Sequence, residues 1–282
     1  MHVFLTGGTG FIGQALVGAE RARMHRVNVE GTEAVLGAAH RAGTKRVVYV
    51  STVWALGATP PGQTCDESHR HPGTFLSAYE ESKVRAHEVA LRWRERGLPL
   101  VIAMPNGVIG ANDHSVFGYF LRLYLLGAMP PLAFGGDAIL ALVDVGALAD
   151  GLCLAAERAP AGADYLFCGS AEPLRSTFER WRRYPGGVKP LLWLPRWLMW
   201  PFMGALEPLE RMAGLPAFLS RETVSVSRAS LDYRADRARR ELGWSHPAVD
   251  EMWDRVIREE RALMDRRKGF LARLRHVPVA EG

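Results

Sequence analysis

Residues 1–43 read MHVFLTGGTGFIGQALVGAERARMHRVNVEGTEAVLGAAHRAG. A short apolar run, His2 to Thr6, feeds directly into GGTGFIG, where Gly7, Gly10 and Gly13 give the spacing G-x-x-G-x-x-G. Directly after a strand, such spacing has a physical use. One glycine permits a tight turn, one lets the backbone approach a pyrophosphate, and one lets the next helix pack close to the strand. The N-terminus of that helix then offers free N–H groups to phosphate oxygens. Residues near Phe11 to Met24 suit a first helix. Val29, Ala34, Val35, Ala38, Ala39 and Ala42 recur at helical spacing, so NVEGT starts a second helix, closed by Gly43.

Downstream, RVVYVST (Arg46 to Thr52) is continuous and β-branched, as a buried parallel strand should be. A loop rich in Gly, Pro and polar residues spans Gly57 to Gly73, Ala78 to Arg94 suits a long helix, and LPLVIAMP (Leu98 to Pro105) reads as another buried strand. Strands alternating with helices imply a parallel α/β sheet. Past Gly110 the pattern changes. Val116 to Leu126 is apolar and helical, ALVDVGALADGLCLAAER reads as a short strand and a helix capped near Asp144, and Ala163 to Gly169 suits a last sheet strand. From Ala171 the chain reads as mostly helical and proline-punctuated, ending in a charged helix from Ala248.

Composition narrows the function classes. The chain has 282 residues, 48% hydrophobic and 23% charged, with a formal net charge of +5. That is ordinary globular composition. Cys65, Cys153 and Cys168 are odd in number and far apart, which argues for a reducing compartment and against a disulfide framework. No CxxC or Cys/His cluster occurs, so no structural zinc is expected, and His25 and His114 lack a second ligand at useful spacing. The N-terminus lacks the basic segment of a signal peptide. No stretch reaches the roughly 18 apolar residues of a spanning helix. The basic tail RALMDRRKGFLARLRHV reads as a solvated terminal helix, because no nucleic-acid motif accompanies it.

Two further motifs carry chemistry. In YEESK, Tyr79 and Lys83 stand at i, i+4, one turn apart on one helix face. A free tyrosine has a pKa near 10, and an adjacent ammonium favours its phenolate, so the pair suits general acid/base work on a hydroxyl or carbonyl. In STVWALG, Ser51 and Thr52 put hydroxyls at the carboxyl edge of a parallel sheet, where open α/β folds bind ligands.

In this order and context, the glycine-rich loop, STVWALG and YEESK resemble the extended branch of the short-chain dehydrogenase/reductase superfamily. That branch holds nucleotide-sugar epimerases, dihydroflavonol reductases and 3β-hydroxysteroid dehydrogenases. NVEGT, MPNGVIGANDHS, VDVGALADGL and RADRARRELGW add to the likeness, which covers nearly the whole chain. The resemblance implies a Rossmann-like parallel sheet with helices on both faces and a mostly helical substrate lobe. It assigns 1–110, with 138–169 returning to it, to an NAD(P)-binding core, 111–137 and 170–264 to the substrate lobe, and 265–282 to a basic tail. Gly7, Gly10, Phe11, Ile12 and Gly13 match the pyrophosphate loop. Tyr79 matches the catalytic acid/base, and Lys83 the lysine that lowers its pKa and holds the nicotinamide ribose. Thr52 matches the substrate-orienting hydroxyl, with Ser51 as second choice. Asn28 matches the asparagine that begins the NVxGT helix near the nicotinamide. Pro105, Asn106 and Val108 match the strand-end segment lining the nicotinamide. Met104 departs from the pattern, since many relatives carry arginine there.

The resemblance also exposes a gap. Relatives continue after the first helix with three strands and two helices, roughly 55 to 60 residues in all. Here fourteen residues separate Gly13 from Asn28. The second strand, which brings the acid for the adenosine ribose, has no counterpart, and Glu30 falls inside the NVEGT helix start. The first strand must then pair directly with RVVYVST or stand at an open edge.

The segment LLWLPRWLMWPFMGALEPLERMAG carries Trp193, Trp197 and Trp200, broken by Pro195, Arg196 and Pro201. It suits a core or an apolar pocket wall, and 191–204 could alternatively lie on a membrane surface. The expected function is an NAD- or NADP-dependent oxidoreductase for a secondary alcohol or ketone of a bulky apolar substrate. Two alternatives stay open: a nucleotide-sugar epimerase or dehydratase with retained NAD, and a non-catalytic binding protein left by the deletion. The expected location is cytoplasmic, with peripheral contact at the inner membrane face and a homodimer both left open.

Overall fold

The computed structural model describes residues 4–6, 19–129, 132–185, 187, 192–195, 197, 229–267, 269 and 273. In chain order the elements are β1 (Phe4–Thr6), α1 (Ala19–Met24), a π-helical turn (His25–Glu30), α2 (Gly31–Arg41), β2 (Val47–Val50), a 3-10 turn (Val53–Ala55), α3 (Ala78–Glu95), β3 (Leu100–Pro105), β4 (Gly107–Ile109) and α4 (Val116–Leu125). There follow β5 (Leu132–Phe134), β6 (Ile139–Asp144), α5 (Val145–Arg158), β7 (Asp164–Phe167), β8 (Ala171–Pro173), α6 (Leu174–Trp181), β9 (Leu192–Leu194), α7 (Asp236–Leu242) and α8 (Val249–Asp265).

Four parallel strands form the central sheet, in the order β1-β2-β3-β7. The first strand does pair directly with RVVYVST, Phe4 facing Val47 and Thr6 facing Tyr49, and among the described residues it is also an edge strand of this sheet. Val47, Val48, Val101, Ile102 and Leu166 are fully buried, joined by Leu36 of α2, Ala90 of α3 and Ala155 of α5. Each fully buried Val, Leu or Ile contributes about 1.5–3 kcal/mol.

The helix expected from NVEGT is present as α2, beginning at Gly31, but it is not a separate start. The backbone stays right-handed helical from α1 through the π turn into α2, with Met24, Glu30 and Gly31 all in the αR region. The gap after the glycine loop is therefore closed by one rod. Both α1 and α2 rest on α3, where Arg21 pairs with Glu81 and Arg92 lies 3.9 Å from Glu33. The rod ends as expected: Ala42 caps it and Gly43 turns at φ +62°.

The mostly helical region after Ala171 also contains two short strands. In one small sheet β6 pairs with β4 and β8, and in another β5 pairs with β9. A second core packs α4, α6 and α8 together, with Trp181 edge-on to Trp253 at 5.3 Å. Within it Arg122 and Glu260 form an ion pair at 3.2 Å, 2% and 1% exposed. Asp144 caps α5, accepting the Ala147 N–H at 2.9 Å, and pairs with Arg255.

The loop after the 3-10 turn is tied to residues 230–234. Tyr233 donates to the Gly57 carbonyl at 2.6 Å, Thr59 N–H donates to Ser230 at 2.7 Å, and Cys65 exchanges backbone bonds with Asp232 and Arg234. Gly57 itself turns at φ +92°, and a Cβ there would sit 2.9 Å from Pro72. In the tryptophan-rich segment, Trp193 packs edge-on to Phe178 at 5.7 Å, whereas Leu192 and Trp197 are exposed. Trp200 lies outside the described residues. No described helix is long and apolar enough to cross a membrane.

Candidate active site

Ser77 fixes the first turn of α3. Its backbone is extended and its hydroxyl accepts the Glu80 N–H at 2.9 Å. The buried Glu80 carboxylate turns back to accept the Leu76 N–H at 2.5 Å and lies 3.1 Å from His71 Nε2. This reciprocal capping is a strong helix start, and it sets Tyr79 at the second residue of the helix. One turn on, the Lys83 ammonium lies over the Tyr79 ring, 5.6 Å from its centroid. This is cation–π distance. Tyr79 is part-exposed as a residue, yet its phenol is enclosed, and burial pushes its pKa up. Burial pushes the Lys83 ammonium down. Burial thus acts against the charged form of both groups, the opposite of what an ammonium alone would do to the phenol.

Asn28 does not begin a helix. It lies in the π turn of the continuous rod, and that wider turn brings it to α3. Its Nδ2 donates to Ser82 Oγ at 2.9 Å, and Ser82 Oγ donates to the Tyr79 carbonyl at 2.8 Å. Thr32 donates to the Asn28 carbonyl at 2.6 Å. Asn28, Tyr79 and Lys83 are therefore brought to one helical turn.

Ser51 and Thr52 directly follow β2. Thr52 is buried and its hydroxyl accepts the Trp54 N–H at 3.3 Å, capping the 3-10 turn. Ser51 is half-buried, and its Oγ lies 2.9 Å from His87 Nδ1. Tyr79, Lys83 and His87 are spaced four residues apart on α3 and so form one stripe. Sequence reasoning missed His87, although its position one turn after Lys83 was a readable signal. Burial pulls its pKa down to about 4, so the imidazole is neutral at neutral pH.

Pro105 ends β3, and Val108 follows half-buried in β4. Between them Asn106 is 6% exposed, and neither its Oδ1 nor its Nδ2 has a hydrogen-bond partner among the described residues. Such a buried orphan amide costs about 1–3 kcal/mol. Met104 lies in the core of β3. The ends of β1, β2 and β3 share one edge of the sheet, the carboxyl edge, where parallel α/β sheets place ligands. Gly7, Gly10, Phe11, Ile12 and Gly13 follow β1 in sequence and lie outside the described residues.

The NAD dependent epimerase/dehydratase family matches residues 18–167, more than half of the chain. The chain belongs to this family. The match begins after the glycine-rich loop. Among relatives of this epimerase/dehydratase chain, a Synechocystis protein named as a dihydroflavonol 4-reductase is 30% identical over 243 residues, covering 82% of this chain and 69% of its own. A human 3 beta-hydroxysteroid dehydrogenase type 7 is 28% identical over 253 residues, covering 78% and 66%. The chain thus spans about two thirds of these relatives' length. The crystal structure of gox2253 superposes with a TM-score of 0.75 at 27% identity, covering 93% of this chain and 78% of the other. The family is one of NAD-dependent oxidoreductases and epimerases, and a nicotinamide cofactor belongs with it.

Proposed function

We propose that this chain is an NAD(P)-dependent oxidoreductase that moves hydride between a nicotinamide ring and the carbon of a secondary alcohol or ketone. The observation that carries the reading is the buried Tyr79 phenol beneath the Lys83 ammonium, with Asn28 bonded through Ser82 into the same turn. Residues of this chain fit the cofactor. The orphaned amide of Asn106 suits the carboxamide of a nicotinamide, and the Lys83 ammonium suits ribose hydroxyls. Pro105 and Val108 flank that amide, and the loop from Gly7 to Gly13, by resemblance, holds phosphate.

The cofactor, when bound, supplies or accepts the hydride. Tyr79 gives its proton to the carbonyl oxygen as that oxygen becomes an alkoxide. Burial keeps the phenol protonated, which favours the reductive direction. Thr52, or Ser51 beside it, orients the same oxygen. Asn28, fixed on Ser82, holds a water that returns a proton to the turn. A bulky apolar substrate is favoured by the likeness to a 3 beta-hydroxysteroid dehydrogenase and by exposed Leu192 and Trp197.

Thermal unfolding with and without millimolar nicotinamide dinucleotides tests the reading. A ligand at about a hundred times its dissociation constant adds roughly 2.7 kcal/mol. The expected result is a clear upward shift, followed by net cofactor oxidation with steroid-like or polycyclic ketones. A cooperative transition that ignores all four dinucleotides would favour a non-catalytic binding protein. Binding without net turnover, together with selectivity for nucleotide sugars, would favour an epimerase, the reading that the family's description supports.

A further inference from the structure

Asn28 is half-buried on the π turn, and its amide has a donating end and an accepting end. Ser82 decides which end faces which way. A serine hydroxyl carries a single proton. Ser82 is 4% exposed and donates that proton to the Tyr79 carbonyl at 2.8 Å, a group that can only accept. Towards Asn28 the hydroxyl is left as an acceptor, so the amide meets it with Nδ2, at 2.9 Å. Oδ1 is thereby turned away from Ser82, and it has no hydrogen-bond partner among the described residues.

The backbone of the turn is held as well. Thr32 donates to the Asn28 carbonyl at 2.6 Å, and its hydroxyl also meets Tyr49 of β2. Asn28 is thus pinned through Thr32 to β2 and through Ser82 to α3. A carbonyl oxygen presented in this way accepts from a water and leaves the lone pairs of that water for an ammonium, which has donors and no acceptor. An amide turned the other way would oppose donor to donor.

We propose that Ser82 is a positioning residue that fixes the polarity of the Asn28 amide, so that Oδ1 and not Nδ2 is offered to the water that serves Lys83 and Tyr79. The inference rests on the hydride-transfer reading given above, in which Asn28 holds that water. Ser82 itself is buried and acts through Asn28.

The test is practical because the chain has three asparagines, Asn28, Asn106 and Asn112. The full chain labelled with nitrogen-15 at asparagine gives three side-chain amide signals, and Asn28→Ala identifies the one from Asn28. Ser82→Ala should speed hydrogen exchange of that amide about fivefold or more, the worth of one hydrogen bond. Ser82→Thr, which keeps the hydroxyl, should retain the wild-type rate. In reduction of a steroid ketone with NADH or NADPH, Ser82→Ala should lower kcat about tenfold with KM little changed. In the Asn28→Ala background the same change should cost nothing further. Alanine is the best helix former, so Ser82→Ala keeps α3 intact, and a urea midpoint checks this. Two results would overturn the proposal: an Asn28 amide that exchanges in Ser82→Ala as it does in the wild type, or single-variant losses in kcat that multiply in the double variant. A wild type that oxidises neither cofactor with the ketone would instead count against the hydride-transfer reading, and the exchange rates would still decide which end of the amide Ser82 holds.

Discussion

Ser51 Oγ lies 2.9 Å from Nδ1 of His87, tying the end of β2 to the third turn of α3. Burial is the main force that holds His87 neutral down to about pH 4. Nearby Asp164 and Glu88 oppose it, and Arg94 and Arg70 assist it. An unfolded chain protonates this imidazole near pH 6.5. The unfolded state therefore takes up a proton that the folded state refuses, and stability is lost as pH falls from 6.5 towards 4. The loss is about 3 kcal/mol when fully developed. Urea unfolding from pH 7 to 4 should show this slope in the wild type and a flatter one in His87→Gln. Equal slopes would show that His87 is not the group responsible.

Tyr79→Phe should lower ketone reduction by about 10²–10⁴-fold, the usual worth of a positioned acid, while leaving nicotinamide binding intact. Because burial holds the phenol protonated, the wild-type reduction rate should stay flat from neutral pH to at least about pH 10, where a free tyrosine ionises. A rate that falls between pH 7 and 9 would contradict this assignment.

Breaking the Arg122–Glu260 pair on one side should be severe. Glu260→Leu leaves a buried guanidinium, and such changes cost about 3–5 kcal/mol. The double variant Arg122→Met, Glu260→Leu should recover most of that loss. Denaturant midpoints of the three proteins decide the matter, and a double variant no better than the single one would place the cost elsewhere.

Asn106→Leu keeps the branching and heavy-atom count of the side chain and removes two buried orphan atoms. The variant should be as stable as the wild type, or up to about 1–3 kcal/mol more stable, without ligand. It should bind nicotinamide compounds about tenfold more weakly, a loss near 1.4 kcal/mol. Melting curves with and without ligand read both effects. Unchanged binding would remove Asn106 from the site.

The central elements were legible because continuous β-branched runs and long periodic helices have strong local signals. RVVYVST, LPLVIAMP and the helix after Ser77 appear within a residue or two of their expected bounds. The direct pairing of the first strand with RVVYVST followed from counting residues between Gly13 and Asn28, since no chain was left to build an intervening strand. The break at NVEGT was misread. Valine and glycine spacing marks a helix, yet it cannot reveal that the preceding helix runs through without a cap. Three-residue strands such as β4, β8 and β9 are too short to show a period. The Arg122–Glu260 pair joins residues 138 positions apart, a contact no local pattern encodes. His87 was within reach, because repeating the four-residue step from Tyr79 to Lys83 lands on it.

The π turn at His25–Glu30 sets the rotational phase of the rod. An α-helix advances about 100° per residue, but the wider π turn takes in one surplus residue locally, so the helix before it keeps its phase. Here that lets α1 and α2 both face α3 although they belong to one rod. Removing a single residue from the turn would wind it back to α geometry with α1 still facing α3, whereas adding one more would swing α1 through about 100°. Arg21 would leave Glu81, and β1, which precedes α1, would be pulled out of line with β2. The turn works as the gear tooth that keeps the shortened sheet and its helices in mesh.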